Sequence, residues 1–253
     1  MLLLCVLVTA AFVTATLSGI IGMGGGALLL AVILSALSHA QSIPVHGAVQ
    51  LVSNGTRVLA FLPEVRWRTV TSFAVGVLPG GALGALFLWR LGSATQSDPG
   101  LKALVGVYIL ATLALPAPSQ QMRRGRWWDW PLLGLVAGSA ALTVGAVGPL
   151  IAPLFARREF TRRQLVATKA LCQALLHAVK LPAFLALWTF DYTRFAAMIL
   201  LMSAAVVPGT LAGRYLLTHH VSERQFKRLY SWALALAGLK LVLWDGLRIW
   251  MAA

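Results

Sequence analysis

The chain has 253 residues, of which 59% are hydrophobic and only 11% are charged. A soluble globular domain needs more polar surface than this composition supplies, so we predict an all-α polytopic membrane protein. The formal net charge of +14 does not indicate nucleic-acid binding, because Lys and Arg cluster in short segments between apolar runs, as they do in the cytoplasmic loops of membrane proteins.

Apolar runs that are long enough to cross a bilayer recur along the whole chain. In chain order we predict membrane segments at residues 2–21, 22–38, 44–62, 69–90, 101–117, 131–155, 164–187, 192–217 and 226–250. We place His39, His219 and His220 in the loops and assign these histidines no role. The positive-inside bias puts the basic loops in the cytoplasm; these loops are 63–68, 118–130, 156–163 and 218–228.

The segment 131–155 cannot cross the membrane once if the basic loops on both of its sides are cytoplasmic. Its centre contains Gly138, Gly145, Gly148 and Pro149, and these residue types let a chain reverse its direction in protein-lined surroundings. The N-terminal region has the same design, with a glycine cluster between two apolar halves. We therefore predict two re-entrant hairpins and six full crossings, with eight helical segments as the more conventional alternative.

A polar stripe follows the first predicted hairpin. His46, Gln50, Asn54 and Arg57 are spaced four, four and three residues apart. On a helix these side chains lie within an arc of about 80°. Polar and charged groups at membrane depth are costly and usually face a cavity or a partner. The stripe therefore predicts a functional face inside the helix bundle.

The second half of the chain repeats this design. A shift of 123 residues aligns about 40 positions without a gap. The shift places Gly22 on Gly145, Gly25 on Gly148, Gly26 on Pro149, His46 on Lys169, Gln50 on Gln173, Asn54 on His177 and Arg57 on Lys180. By the loop charges the two stripe helices run in opposite directions. We therefore predict two inverted repeats, residues 1–121 and 122–253, each a Gly-broken helical hairpin followed by three transmembrane helices.

The charges of the two stripes predict an anion site. Arg57, Lys169 and Lys180 lie at membrane depth, whereas every Asp and Glu lies in a loop or near the end of a segment. A small anionic substrate would supply the missing countercharge. Helices that begin at the glycine breaks would aim free backbone N–H groups at the same place. Histidines in the stripes would be suited to coupling transport to protons.

The predicted substrate-binding residues come from both breaks and both stripes. They are Gly22, Gly24, Gly25, Gly26, His46, Gln50, Asn54, Arg57, Gly145, Gly148, Pro149, Lys169, Gln173, His177 and Lys180. We expect no catalytic residue, metal or cofactor, since Cys5 and Cys172 lie in apolar spans without a metal-site pattern. The expected partners are a small anionic substrate and the lipid bilayer, without nucleic acid, and the sequence leaves open whether the chain forms a homodimer.

Four motifs resemble the TauE/SafE family of sulfite and organosulfonate exporters, also called the TSUP family. They are "SGIIGMGGG" at 18–26, its degenerate copy "GAVGP" at 145–149, "VLPGGALGA" at 77–85 and "VVPGTLAGR" at 206–214. The resemblance covers most of the chain and implies a small permease of the bacterial inner membrane, with two similar halves, that moves sulfur-containing anions. The second glycine motif departs from the first, because Val147 stands at the position that matches Gly24. The resemblance does not choose among sulfite, sulfonates and other small oxyanions.

Other functions remain as alternatives. A membrane-embedded enzyme that acts on a lipid headgroup would need a nucleophile with a base, paired carboxylates or a metal site at membrane depth. A structural subunit would not need polar stripes that are duplicated in register, and an anion channel would use the same residues as a carrier. For single residues, the alternatives are snorkelling of the three cations to the interface, interhelical hydrogen bonds by Gln50 and Gln173, and close helix packing at the glycines.

Overall fold

A computed structural model describes residues 1–21, 25–91, 98–114, 126–155, 160–188, 190–219, 231–232 and 234–245. Every element in these ranges is helical, in agreement with the composition. The helices are α1 Leu2–Ile21, α2 Gly25–Leu34, α3 His39–Ala60, α4 Trp67–Leu91, α5 Asp98–Ala114, α6 Asp129–Thr143, α7 Gly148–Phe155, α8 Arg162–Trp188 and α9 Ala196–His219. Short 3₁₀ turns lie at Leu62–Glu64 and Thr193–Phe195, and an apolar C-terminal helix spans Leu234–Trp244.

Three helical stretches are long and apolar enough to cross a membrane by length and composition, namely Leu2–Ile20, Trp67–Arg90 and Thr193–Leu216. Helices α3 and α8 contain 22 and 27 residues, so at about 1.5 Å per residue they also have the length to cross a bilayer. Their polar stripes lower their hydropathy. The molecule is therefore a multi-pass helical membrane protein, as the sequence predicts.

The chain changes direction at both predicted glycine clusters, since Gly25 packs back on Thr14 of α1 and Gly145 has a left-handed backbone conformation. Helix α1 ends at Ile21 and α2 begins at Gly25, while α6 ends at Thr143 and α7 begins at Gly148. Helices α2 and α7 have only 10 and 8 residues. At about 1.5 Å per residue, neither is long enough to cross a hydrocarbon core of about 30 Å.

Helix α7 returns to the end of the bundle at which α6 begins. The ring of Trp130, at the start of α6, lies 5.0 Å from the ring of Phe155 at the end of α7, and 5.8 Å from that of Phe160. Phe61 and Val65, which follow α3, belong to the same apolar cluster. The loops after α3 and after α7 and the start of α6 therefore gather at one end of the bundle.

Two glycine-lined seams hold the outer helices together. Helix α1 packs along α9, and α4 packs along α6. The facing pairs are Gly209 with Phe12 and Gly213 with Thr16 in the first seam, and Gly80 with Leu135 and Gly84 with Ser139 in the second. A Cβ atom on any of these glycines would lie closer than 3.0 Å to backbone of the facing helix. In both seams residue numbers rise together, so the paired helices run parallel.

Helix α3 starts five positions earlier than the predicted residue 44. Ser38 caps it, because the Gln41 N–H donates to Ser38 Oγ and the Ser38 N–H donates to Gln41 Oε1, both at 3.3 Å. Pro44, at the predicted start of this segment, lies inside the helix. The prediction that His39 lies in a loop is wrong, since His39 is a buried residue of the first turn of α3 and its Nε2–H donates to the Thr143 carbonyl at 3.0 Å.

Other boundaries also differ from the predictions. In the described part of the segment 22–38, which starts at residue 25, the helix is the short α2, and α9 begins at Ala196, after a 3₁₀ turn, instead of at residue 192. His220 and much of the last predicted segment lie outside the described residues, as does the predicted boundary between residues 121 and 122.

Candidate functional site

The polar stripes of α3 and α8 meet in the middle of the bundle. Gly47 of α3 lies against the Lys180 side chain of α8, while the Arg66 N–H, beyond the end of α3, donates to Thr168 Oγ1 near the start of α8 at 3.0 Å. The two helices therefore run antiparallel. Seven of the eight stripe side chains are no more than 6% exposed; these are His46, Gln50, Asn54, Arg57, Lys169, His177 and Lys180. Gln173 is half-buried.

A cavity lies where the stripes meet the two helix breaks. It is lined by Ser18, Gly26, Ala27, His46, Gln50, Arg57, Ala146, Val147, Gly148, Gln173 and His177. Only about 10 Å³ of it admits the centre of a water molecule, which is roughly the room of one water. The cavity is polar but nearly closed, so a larger solute needs the surrounding side chains or helices to move.

On the α3 side, the guanidinium of Arg57 is held by its own helix. Its two terminal nitrogens donate to Asn54 Oδ1 at 3.1 Å and to Ser53 Oγ at 2.8 Å, while Nε has no hydrogen-bond partner. These partners lie three and four residues earlier, which is the spacing of neighbours on a helix face. One donor of Arg57 is therefore free beside the cavity.

On the α8 side, Lys180 reaches into the second break. Its Nζ donates to the Gly145 carbonyl at 2.8 Å. Gly145 has a φ of 86°, a left-handed conformation that glycine adopts without steric cost. The same lysine contacts Gly47, whose missing Cβ would lie 2.8 Å from Lys180 Cδ. Lys180 thus joins α3, α8 and the α6–α7 break.

Two histidines face each other across the site. The rings of His46 and His177 meet edge to face with centroids 5.7 Å apart. His46 Nε2–H donates to the Gly26 carbonyl in the first turn of α2 at 2.8 Å. The Nδ1 atoms of both histidines are buried and have no hydrogen-bond partner. Buried polar atoms without a partner are uncommon, and a bound water or ion is one explanation for them.

The glycines of the breaks make room for the stripe glutamines. A Cβ on Gly26 would lie 3.4 Å from the Gln50 amide, and one on Gly148 would lie 3.1 Å from Gln173 Nε2. Gly25 instead packs on Thr14 and Ser18 of α1. The first turns of α2 and α7 therefore meet the stripes directly, with the backbone N–H groups that a helix leaves unbonded at its start.

The structure brings together only part of the predicted set. Gly26, His46, Gln50, Arg57, Gly148, Gln173 and His177 line the cavity, whereas Gly25, Asn54, Gly145, Pro149, Lys169 and Lys180 do not. Asn54 supports Arg57, and Pro149 is the second residue of α7. Gly22 and Gly24 lie outside the described residues.

The cations of the stripes are enclosed by protein. Arg57 is 3% exposed, and Lys169 and Lys180 are 0% exposed, so snorkelling to the membrane interface does not describe them. No Asp or Glu occurs among the cavity-lining residues of the described ranges. Among the described helices and turns, the acidic residues lie at the ends of elements; they are Glu64, Asp98, Asp129 and Asp245. Among the described residues, Arg57 therefore lines a cavity that has no carboxylate in its wall, and Lys180 lies close by, hydrogen-bonded to Gly145 next to the lining residue Ala146.

Sequence reasoning missed two serines at this site. Ser18 lines the cavity and Ser53 accepts a hydrogen bond from Arg57. Ser53 stands four residues before Arg57, a spacing that predicts contact on a helix. Ser18 precedes the first glycine break, where a polar residue in an apolar run was a usable signal.

Comparison with known proteins gives one match. The sequence profile described as "Sulfite exporter TauE/SafE" matches residues 7–241. No curated protein and no solved structure matches the chain.

Proposed function

Because the chain belongs to the sulfite exporter TauE/SafE family, we propose that it exports small sulfur-containing or related oxyanions, such as sulfite or organosulfonates, across the bacterial inner membrane. The family is one of membrane transporters, which favours transport over catalysis on a lipid headgroup. The cavity between α3 and α8 is the proposed anion site.

The buried positive charge around this cavity carries the proposal. Arg57 and Lys180 are enclosed by protein, and no carboxylate lines the cavity in the described ranges. Burying charge without a countercharge is costly. A mobile anion reduces that cost when it enters. Arg57 suits an anion with several oxygens, because its planar guanidinium can donate to two of them at once.

Transport by alternating access would follow from two inverted repeats. Contacts between the two halves support this arrangement. A shift of 129 residues places Gly80 and Gly84 on Gly209 and Gly213, and a shift of 123 residues places Phe12 and Thr16 on Leu135 and Ser139. The glycines contact the matching partners in both seams: Gly80 with Leu135, Gly84 with Ser139, Gly209 with Phe12 and Gly213 with Thr16. The equivalent helices α3 and α8 run antiparallel, as a two-fold axis in the membrane plane requires. The nearly closed cavity would be an occluded state of the cycle.

Transport into or out of proteoliposomes tests the proposed function. We expect movement of labelled sulfite or methanesulfonate, with saturation and with exchange of labelled for unlabelled anion. Arg57→Ala should lower the apparent affinity tenfold or more, since a hydrogen bond from a charged group contributes about 1.5–3 kcal/mol, and Lys180→Ala should lower it by removing a positive charge close to the cavity. Arg90→Ala, at the exposed end of α4, removes the same charge away from the cavity and should leave transport unchanged.

Two results would contradict this proposal. Failure to move any of a panel of small oxyanions would exclude the exporter function. Flux that follows the voltage without saturating would favour an anion channel over alternating access.

Side-specific cysteine labelling tests the inverted repeats. In a background without Cys5 and Cys172, a maleimide that cannot cross the membrane should label Leu62→Cys and Arg194→Cys from opposite sides. These exposed residues follow α3 and α8 respectively, so repeats with the same orientation would label from the same side. Arg126→Cys and Thr161→Cys, which flank the second hairpin, should label from the same side as Leu62→Cys.

A further inference from the structure

Helix α3 contains two buried histidines with the same backbone interaction but different surroundings. His39 Nε2–H donates to the Thr143 carbonyl, and His46 Nε2–H donates to the Gly26 carbonyl. Both side chains are at most 4% exposed. Only His46 lines the cavity, and its Nδ1 is buried without a hydrogen-bond partner.

The hydrogen bond to Gly26 determines the chemistry of His46 Nδ1. A carbonyl oxygen accepts hydrogen bonds and cannot donate them, so the proton of a neutral His46 must be on Nε2. The Nδ1 atom then carries a lone pair, which repels the lone pairs of a fully deprotonated oxyanion. A favourable contact between His46 Nδ1 and an anion oxygen therefore requires one additional proton between them.

Positively charged and titratable groups surround His46. The ring of His177 meets its ring, Lys180 lies against the neighbouring Gly47, and Arg57 lines the same cavity. The parts of α1, α2 and α7 that line the cavity contribute Ser18, Gly26, Ala27 and Gly148, none of which titrates. Nearby positive charge disfavours a further positive charge on His46. An anion in the cavity reverses this effect.

We propose that each oxyanion is bound together with one proton, which is shared between an anion oxygen and Nδ1 of His46. This inference rests on the proposed anion site and states the form in which the substrate is bound there. With sulfite the complex has the composition of hydrogen sulfite with a neutral imidazole. With a sulfonate, which has no acidic proton at neutral pH, the proton comes from solution and resides on the imidazole.

Binding of methanesulfonate to the purified full chain tests the proposal, because this anion does not titrate between about pH 5 and 8, so any pH dependence there comes from the protein. We expect its affinity to fall as the pH rises, by up to about tenfold per pH unit, as linkage to one proton requires. In His46→Gln the pH dependence should disappear, since an amide does not titrate.

His39→Gln is the matched control, because it makes the same change on the same helix outside the cavity. It should keep the pH dependence of the unaltered protein. A pH-independent affinity in the unaltered protein would overturn the proposal, as would a dependence that persists in His46→Gln and disappears in His177→Gln. Failure to bind any oxyanion at any pH would instead overturn the proposed function.

A calorimetric measurement does not depend on the folding of a variant. The heat of methanesulfonate binding, measured in two buffers with different ionisation enthalpies, gives the number of protons taken up per anion. We expect a value near one toward the upper end of this pH range, where the free site is unprotonated. A value of zero across the range would overturn the proposal.

Discussion

The two stripe helices occupy equivalent positions but hold their cations in different ways. In α3, Arg57 is bound by Ser53 and Asn54 of its own helix. The shift of 123 residues replaces these partners in α8 by Leu176 and His177. Leu176 cannot accept a hydrogen bond, and Lys180 donates to the carbonyl of Gly145 in the second break instead. If the halves are the proposed repeats, the place of the positive charge has been kept while its partners have changed.

The largest effect is expected from removing these two cations without changing side-chain volume much. Arg57→Met should reduce anion affinity tenfold or more, for the loss of a charge-assisted bond of about 1.5–3 kcal/mol, whereas Lys180→Met should reduce it through the loss of a nearby positive charge. Only Lys180→Met leaves the Gly145 carbonyl without this donor, so it should lower the thermal unfolding temperature more than Arg57→Met does. Equal unfolding temperatures would show that the two cations have the same structural role.

The two glycine seams should respond alike, in contrast to the two stripes. Gly80→Ala and Gly209→Ala each place a methyl group against backbone of the facing helix, where neither side can move easily. Overpacking of this kind costs about 1–3 kcal/mol. Chemical denaturation in detergent should give similar losses for both variants. Tolerance of one substitution and not of the other would mean that the seams are not equivalent.

The smallest effects on stability are expected from two glycine substitutions, one in the second break and one in the interior of a helix. Gly145→Ala forces a left-handed conformation on a residue with a Cβ, at a cost of about 1–2 kcal/mol, and the new methyl group meets the Ile43 side chain. Gly55→Ala is the control, since a Cβ there meets no atom within 4 Å. In the interior of α3 the alanine should stabilise the protein by about 0.5–1 kcal/mol. Unfolding free energies that change in the same direction would contradict this contrast.

Residue patterns at short range predicted much of the molecule. The spacing of His46, Gln50 and Arg57 indicated one buried face, and the glycine clusters indicated breaks, because both features depend on neighbours along the chain. The family resemblance is confirmed by the match over residues 7–241. The role of the stripe and break residues in anion binding stays a prediction.

The features that were missed have two causes. The residue types of the Ser38–Gln41 capping box are visible in the sequence, and they predict a helix that starts before residue 44. The partner of Lys180 could not be predicted, since the Gly145 carbonyl is 35 residues away along the chain. Every residue type has a backbone carbonyl, so the sequence does not indicate which one accepts a hydrogen bond. The pairing of α1 with α9 likewise depends on how distant helices pack.

The glycine seams determine which parts of the protein can move as units. Backbone carbonyls that face glycines at this distance collide when one helix slides past the other, so α1 must travel with α9 and α4 with α6. Each of these rigid pairs takes one helix from each half of the sequence. Opening of the bundle would therefore not separate the amino-terminal half from the carboxyl-terminal half. The loop between the two halves would not be the hinge.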